Sequence, residues 1–199
     1  MEPLKIGCVL MAAGSARRFG TNKLMTSLDG RSLILRALET VPAELLDAVV
    51  VVTQYPEIMR LAGEFHFAAI HNPHPDDGIS HTIHLGLTEL RDCDGVLFLV
   101  SDQPMLTRHS TAKLVELWKQ HPDRIAALSH NGVRGNPCLF PARFYPDLMA
   151  LTGDRVGSNV IRRHEEDLIL LEAQAQELTD VDTPAAMEAL RNESRHGNK

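Results

Sequence analysis

Val9-Leu10-Met11-Ala12-Ala13-Gly14-Ser15-Ala16-Arg17-Arg18-Phe19-Gly20-Thr21-Asn22-Lys23 decides how the rest of this chain is read. An apolar run, Ile6 to Met11, has the length of a buried strand and turns at once into small residues, glycines and cations. Small residues let a polyphosphate approach the backbone, whose N–H groups can hold its oxygens, while Arg17, Arg18 and Lys23 supply neutralising charge. In an α/β chain, a loop following the first strand is where nucleotides commonly sit. The plain alternative is a turn with a solvated basic face. The spacing of Gly14 and Gly20 does not make the dinucleotide fingerprint, and Thr21 and Asn22 separate Gly20 from Lys23, so there is no Walker loop.

The remainder of the 199 residues alternates in one rhythm. Short apolar runs at Ile6–Met11, Ala48–Thr53, Phe67–Ile70, Gly95–Val100 and Ile125–Leu128 suit the strands of a covered parallel sheet. Amphipathic stretches at Ser32–Thr40, Pro56–Glu64, Ser80–Leu90 and Thr107–Gln120 separate them and predict helices. Such alternation implies right-handed βαβ units in a three-layer α/β domain. Cys138–Phe140 and Asp167–Leu171 read as later strands. Pro184–Arg191 reads as a closing helix with proline in its first turn. One domain over residues 1–191 is expected, with a disordered tail over 192–199.

Composition narrows the class. Apolar residues make up 44%, and no apolar run is long enough for a membrane span. Residues Met1 to Lys5 lack the hydrophobic region of a signal peptide, so a cytoplasmic protein with no membrane partner is expected. A net charge of −6 argues against a broad nucleic-acid surface. Even so, residues 1–36 carry six Lys or Arg against two acids, so positive charge is concentrated around the glycine loop. Cys8, Cys93 and Cys138 are far apart, odd in number and set among apolar residues, and read as reduced core thiols.

A second chemical feature is Leu97-Phe98-Leu99-Val100-Ser101-Asp102-Gln103-Pro104. An apolar strand delivers one carboxylate to the sheet's C-terminal edge, and Pro104 stops the strand. Asp102 therefore falls near the first loop, where a carboxylate beside phosphates commonly holds Mg²⁺. Its other reading is a cap for the helix beginning near Thr107. Near the C-terminus, Asp180-Val181-Asp182-Thr183-Pro184 offers another edge carboxylate, Asp182, as a second Mg²⁺ ligand or as the cap of the last helix. Ser80 suits a helix start as a hydroxyl cap followed by free N–H groups. His81 reads as a surface imidazole or a phosphate contact, and Asp154 as a loop residue or a site residue.

These motifs occur in an order that resembles the molybdenum cofactor cytidylyltransferases among the MobA-like NTP transferases. The first stretch is similar to Leu-Ala-Ala-Gly-x-x-x-Arg-Met/Phe-Gly-x-x-Lys, with Gly14, Arg18, Gly20 and Lys23 matching and Met11 in place of leucine. Ser101-Asp102-Gln103-Pro104 resembles Gly-Asp-Gln-Pro, and Gly78 to Leu87 resembles Gly-Met-Ser-x-Ser-Ile/Leu-x-x-Gly-Leu. Gly135 to Phe140 resembles Gly-x-Pro-Val-Leu-Phe, and Asp180 to Pro184 resembles Asp-Ile-Asp-Thr-Pro. Leu151 to Ser158 is similar to Leu-x-Gly-Asp-x-Gly-Ala-Arg but is one residue longer, with Val156 inserted, and Asn159 and Ile161 stand where a basic residue is often found.

The resemblance implies a Rossmann-like nucleotidyltransferase fold with a mostly parallel sheet. It implies transfer of CMP from CTP to the phosphate of a molybdopterin-type cofactor, with Mg²⁺ as cofactor. Arg18, Lys23 and Asp102 are then catalytic, Ala12, Ala13, Gly14, Ser15, Gly20 and Ser80 bind nucleotide, and Asp102 and Asp182 hold the metal. Transfer of GMP or another nucleotide, transfer to a sugar or polyol phosphate, and a cofactor carrier serving a molybdenum hydroxylase are the alternatives.

Overall fold

The chain folds as a three-layer α/β domain; the computed structural model describes residues 3–14 and 22–196. Its elements in chain order are β1 (Ile6–Ala12), β2 (Ser27–Leu28), β3 (Arg31–Ser32), α1 (Leu33–Glu39), β4 (Ala48–Thr53), α2 (Pro56–Glu64), β5 (Ala68–His71) and α3 (Ile79–Glu89). There follow β6 (Gly95–Val100), α4 (Arg108–Gln120), β7 (Ile125–His130), β8 (Val133–Pro141), α5 (Tyr145–Met149), α6 (Gly157–Ile161), β9 (Leu168–Glu172) and α7 (Pro184–His196). The seven-stranded sheet runs β5-β4-β1-β6-β8-β7-β9. β1 pairs in parallel with β4 on one side and β6 on the other.

Every strand read from the sequence is present, and one departs from the expected direction. β8 is antiparallel to both β6 and β7. The cause is local. Asn131 and Gly132 both have positive φ, and His130 pairs with Val133 across them. A two-residue Asn-Gly loop with left-handed residues makes a tight hairpin, which can join only antiparallel strands. A smaller hairpin, β2–β3, is closed the same way by Asp29-Gly30.

Side chains alternate across β1 because the strand period is two. Ile6, Cys8, Leu10 and Ala12 face a core shared with α1, α2 and α4. Val9 faces a second core shared with α3, α5 and α6. On that side α3 lies close against the sheet, since a Cβ at Gly86 would stand 2.6 Å from the Val9 methyls. The three cysteines are free, with Cys8 and Cys138 buried and Cys93 half-buried, as their apolar settings implied.

A third apolar cluster joins Leu28 and Leu33 to Val181, Met187 and Leu190, seating α7 on the β2–β3 hairpin. α7 continues five residues past Arg191, so the tail expected to be disordered from Asn192 is helical to His196. Among the described residues no helix is long and apolar enough to cross a membrane.

Candidate active site

The crossovers from β1 and β6 leave the sheet in opposite directions, which opens a crevice at the C-terminal ends of these two strands. Four hydrogen bonds fix the loop that leaves β1. Ser101 Oγ donates to the carbonyl of Met11 at 2.8 Å, and Thr53 Oγ1 to that of Ala12 at 2.9 Å. Gln54 Nε2 donates to Ala13 O at 2.8 Å, and Tyr55 Oη to Gly14 O at 3.1 Å. These partners engage the four carbonyls with side chains at the C-terminal ends of β4 and β6. Ser101, which stands where the resembling family has glycine, ties the ends of β1 and β6 together.

A cleft of about 290 Å³ lies over this edge, lined by Ala13, Gly14, Lys23, Thr82, Asp102 and Asp154 among others. Lys23 opens a 3₁₀ turn, Lys23–Met25, capped by the Asn22 side chain. Its ammonium donates to Asp102 Oδ2 at 3.0 Å, Asp182 Oδ1 at 3.1 Å and the carbonyl of Val181 at 3.2 Å. Partial burial opposes the charged form of Lys23, yet the two carboxylates outweigh it and hold the amine's pKa above its ordinary value. The Val181 amide in turn donates to Asp102 O at 2.8 Å, so the segment before α7 is laced to the end of β6.

This arrangement removes the helix-capping reading of both carboxylates. Asp182 is not the cap of α7: Thr183 Oγ1 accepts from the Ala186 amide, and Asp182 is turned to Lys23. Nor does Asp102 cap α4, because the Thr107 hydroxyl accepts from the Ser110 amide.

Other expectations need correction. Ser80 does not cap α3: the N-cap is Gly78 and no side chain caps it. Ser80 is instead buried in the first turn, its amide donating to Gly153 O at 3.1 Å, and Gly78, Ile79 and Thr82 present that helix start to the cleft. The Ala12 side chain points into the core and only its carbonyl belongs to the loop framework. His81 is half-buried rather than a surface imidazole, with its ring edge-on to His74 at 5.9 Å. Ser15, Arg17, Arg18 and Gly20 lie outside the described residues.

Asp154 reaches the cleft through a glycine contact. Gly78 has φ +92°, and a Cβ there would stand 2.3 Å from the carbonyl carbon of Gly153. The two glycines let the loop after α5 lie against the start of α3. Asn159, where the resembling family often has a basic residue, accepts from the Val156 amide at 3.0 Å and closes the first turn of α6.

A second cavity of about 330 Å³ adjoins the first, and Met11, Ile79 and Val100 line both. Its walls are apolar at Ile83, Phe98, Phe140 and Leu148, with Gln103, Arg134, Asn136 and Asp180 as polar groups. Gln103 Nε2 donates to Asp180 Oδ1 at 2.9 Å. Partial burial, then the charges of Asp102 and Asp182, raise the Asp180 carboxyl above its usual range, against the Gln103 hydrogen bond and the charge of Lys23. The residues of this cavity were not recognisable as a group, because they come from β6, β8, α3, α5, α6 and the stretch before α7.

A glycine loop after a central strand, a lysine bridging two edge carboxylates and a bipartite crevice define a nucleotide-using α/β enzyme. The chain belongs to the MobA-like NTP transferase family, whose domain matches residues 8–168, and it is a nucleotidyltransferase. It is 29% identical to the purine catabolism protein PucB of Bacillus subtilis (strain 168), over 96% of this chain and 97% of that protein. A probable molybdenum cofactor guanylyltransferase of Natranaerobius thermophilus is 28% identical over 51% of this chain and 49% of its own length. The fold is similar to that of a nucleotidyl transferase from Methanothermobacter thermautotroptrophicus. That likeness has TM-score 0.80 and 19% identity and covers 97% and 99% of the two chains.

Proposed function

We propose that the enzyme transfers CMP from CTP to the phosphate of a molybdopterin-type cofactor, releasing pyrophosphate. The supporting observation is the pair of adjoining cavities with the Lys23–Asp102–Asp182 cluster at the edge of the first. The nucleotide occupies the cleft over Ala13 and Gly14. The acceptor occupies the more apolar cavity, with Arg134 available to its phosphate. An acceptor phosphate oxygen bonds to the α-phosphorus of CTP, and the bond to the β-phosphate oxygen breaks. A phosphate acceptor is already largely ionised near neutral pH, so the step needs no general base.

The donor set fits Mg²⁺: two carboxylates and a backbone carbonyl already surround one cationic group, and all three are hard oxygen ligands. When bound there, through Asp102 and Asp182, Mg²⁺ supplies charge neutralisation to the triphosphate. Lys23, and Arg18 with it, stabilise charge building on the transferred group and on the leaving pyrophosphate. Ser15 and Gly20 are further nucleotide-binding residues on this reading. In the cytoplasm the product passes to a molybdenum hydroxylase.

The Ala12-Ala13 loop carries no side chain that could read a base, so discrimination falls to backbone groups and pocket size, which exclude a purine more readily than an isostere. Guanylyl transfer to the same acceptor is the second reading, favoured by the likeness to the guanylyltransferase relative. Pyrophosphate release is measured with each of the four triphosphates, with and without molybdenum-loaded molybdopterin. Acceptor-dependent release with CTP in strong preference to GTP is the expected result. Preference for GTP replaces cytidylyl by guanylyl transfer, and no release with any triphosphate overturns the transferase reading of this acceptor.

A further inference from the structure

The strap of chain between β9 and α7 is tied down at two points. At one, Val181 is fully buried in the cluster beneath α7, and its amide donates to Asp102 O at 2.8 Å. At the other stands Glu177, a carboxylate that the proposed reaction does not use and that is only 7% exposed. Its Oε1 accepts from the Thr107 amide at 3.1 Å and from the Thr107 hydroxyl at 2.7 Å, and its Oε2 from the Gln174 amide at 3.3 Å. Burial opposes its charged form, yet the hydrogen bonds from Thr107, Ser110 and Gln174 outweigh it and hold the carboxyl below its ordinary range. At the start of α4 that charge also meets the positive end of a 13-residue helix. Glu177 thus fastens the 3₁₀ turn Ala175–Leu178 to a rigid element. The ties run antiparallel to the segment after β6: Val181 on Asp102, Asp180 on Gln103, Glu177 on Thr107.

Between Glu177 and Val181 lie Leu178, Thr179 and Asp180, and both Leu178 and Asp180 line the second cavity. Leu178 packs on Gly135, where a Cβ would stand 3.1 Å from one of its methyls. The Gly135 carbonyl in turn takes the Cys138 thiol at 3.4 Å, and both residues line the same cavity. We infer that Glu177 is a positioning residue for the acceptor, holding the strap on α4 so that Leu178 and Asp180 form one wall of the acceptor cavity. It lines neither the cleft nor the second cavity, so it acts through the strap. With Glu177 removed, three residues of that wall hang from Val181 alone, and a small misplacement of a binding wall is enough to weaken a positioned substrate. The nucleotide side is held separately, because Asp182 lies beyond the Val181 tie. The inference rests on the acceptor cavity assigned under the proposed function.

The test compares wild type with Glu177→Ala and Glu177→Gln. Thr183→Ala, which weakens the cap of α7 but leaves the strap, serves as the control for lost stability. The KM for molybdopterin, the dissociation constant for CTP and the melting temperature are measured for each. So is the rate at which a disulfide reagent labels Cys138 in ligand-free protein, resolved by peptide mass spectrometry. Glu177→Ala is expected to raise the acceptor KM about tenfold or more and leave the CTP dissociation constant within about twofold. It should also speed labelling of Cys138 several-fold without speeding that of Cys8. Glu177→Gln keeps an oxygen for both Thr107 donors, loses only the Gln174 bond, and is expected to stay within about threefold of wild type in both readouts. Where Glu177→Ala does not fold, Glu177→Asp, one methylene shorter, is read by the same criteria. An unchanged acceptor KM, equal losses in acceptor and CTP binding, or the same changes in Thr183→Ala overturn the assignment. If wild type fails to use molybdopterin, the proposed function falls separately. Glu177 is then judged as the anchor of the cavity wall by Cys138 labelling alone, where faster labelling in Glu177→Ala supports it and equal rates overturn it.

Discussion

The Lys23 ammonium stands 3.0 Å from Asp102 Oδ2 and 3.1 Å from Asp182 Oδ1, so one cation draws together carboxylates carried by β6 and by the approach to α7. With the Val181 carbonyl as third acceptor, the hydrogens of the ammonium are engaged within the protein. In the proposed mechanism Lys23 exchanges partners to reach a triphosphate, and a divalent cation replaces it between the carboxylates. On that reading the lysine and the metal compete for the same oxygens.

That competition predicts opposite effects of Lys23→Ala on two measurements. Turnover should fall by about a hundredfold or more, some 2.7 kcal/mol of lost transition-state stabilisation. Binding of Mn²⁺ to nucleotide-free protein, followed by electron paramagnetic resonance, should tighten several-fold because the ammonium no longer occupies the carboxylates. Unchanged or weaker Mn²⁺ binding would show that metal and lysine do not share the site.

Asp182 and Thr183 are adjacent yet predict separable phenotypes. Asp182→Asn should weaken metal dependence and turnover with little change in stability, since the side chain caps nothing. Thr183→Ala removes the hydroxyl that receives the Ala186 amide and should cost about 1 kcal/mol of stability with turnover nearly intact. Asp102→Asn should nearly abolish transfer at an unchanged melting temperature. Thermal melts beside steady-state rates at varied Mg²⁺ check all three, and activity of Asp102→Asn within a few-fold of wild type would remove it from the metal site.

Gly78→Ala should be among the more damaging single-methyl changes. The backbone at φ +92° disfavours any L side chain, at a cost of about 1–3 kcal/mol, and the new Cβ would meet the Gly153 backbone. The loop carrying Asp154 would have to retreat from the cleft. A destabilisation below about 1 kcal/mol in urea unfolding, with normal nucleotide affinity, would contradict the contact.

The thiols offer a pH-dependent readout. Burial pushes the Cys138 pKa up to about 11, with Arg134 opposing the shift, and burial raises Cys8 further and Cys93 less firmly. The thiolate is the reactive form, so at pH 8 native protein should react slowly with a disulfide reagent, Cys93 first. Cys138 labelling should accelerate about tenfold per pH unit up to its pKa. Because Cys138 lines the second cavity, an acceptor bound there should slow its labelling further. Rapid labelling of Cys138 at neutral pH would mean the cavity wall opens readily.

By itself the sequence determined the three-layer class and the positions of the long helices and of the strands in the seven-stranded sheet, though not the β2–β3 hairpin. Covered strands and amphipathic helices are governed by local periodicity, which a single sequence displays. It also identified Lys23, Asp102 and Asp182 as charged residues at strand or loop ends, because such groups stand out beside apolar runs. The antiparallel β8 was encoded too, in Asn131-Gly132, a signal that the parallel rhythm of the earlier strands masked. Tertiary structure alone decided what distant groups do together. Thr183 rather than Asp182 caps α7, since seating α7 on the β2–β3 hairpin turns Asp182 toward Lys23. Asp154 enters the cleft only because Gly78 and Gly153, remote in the chain, permit backbone contact. The second cavity exists only where β6, β8, α3, α5 and α6 converge, and no local pattern records a volume enclosed by segments far apart in sequence.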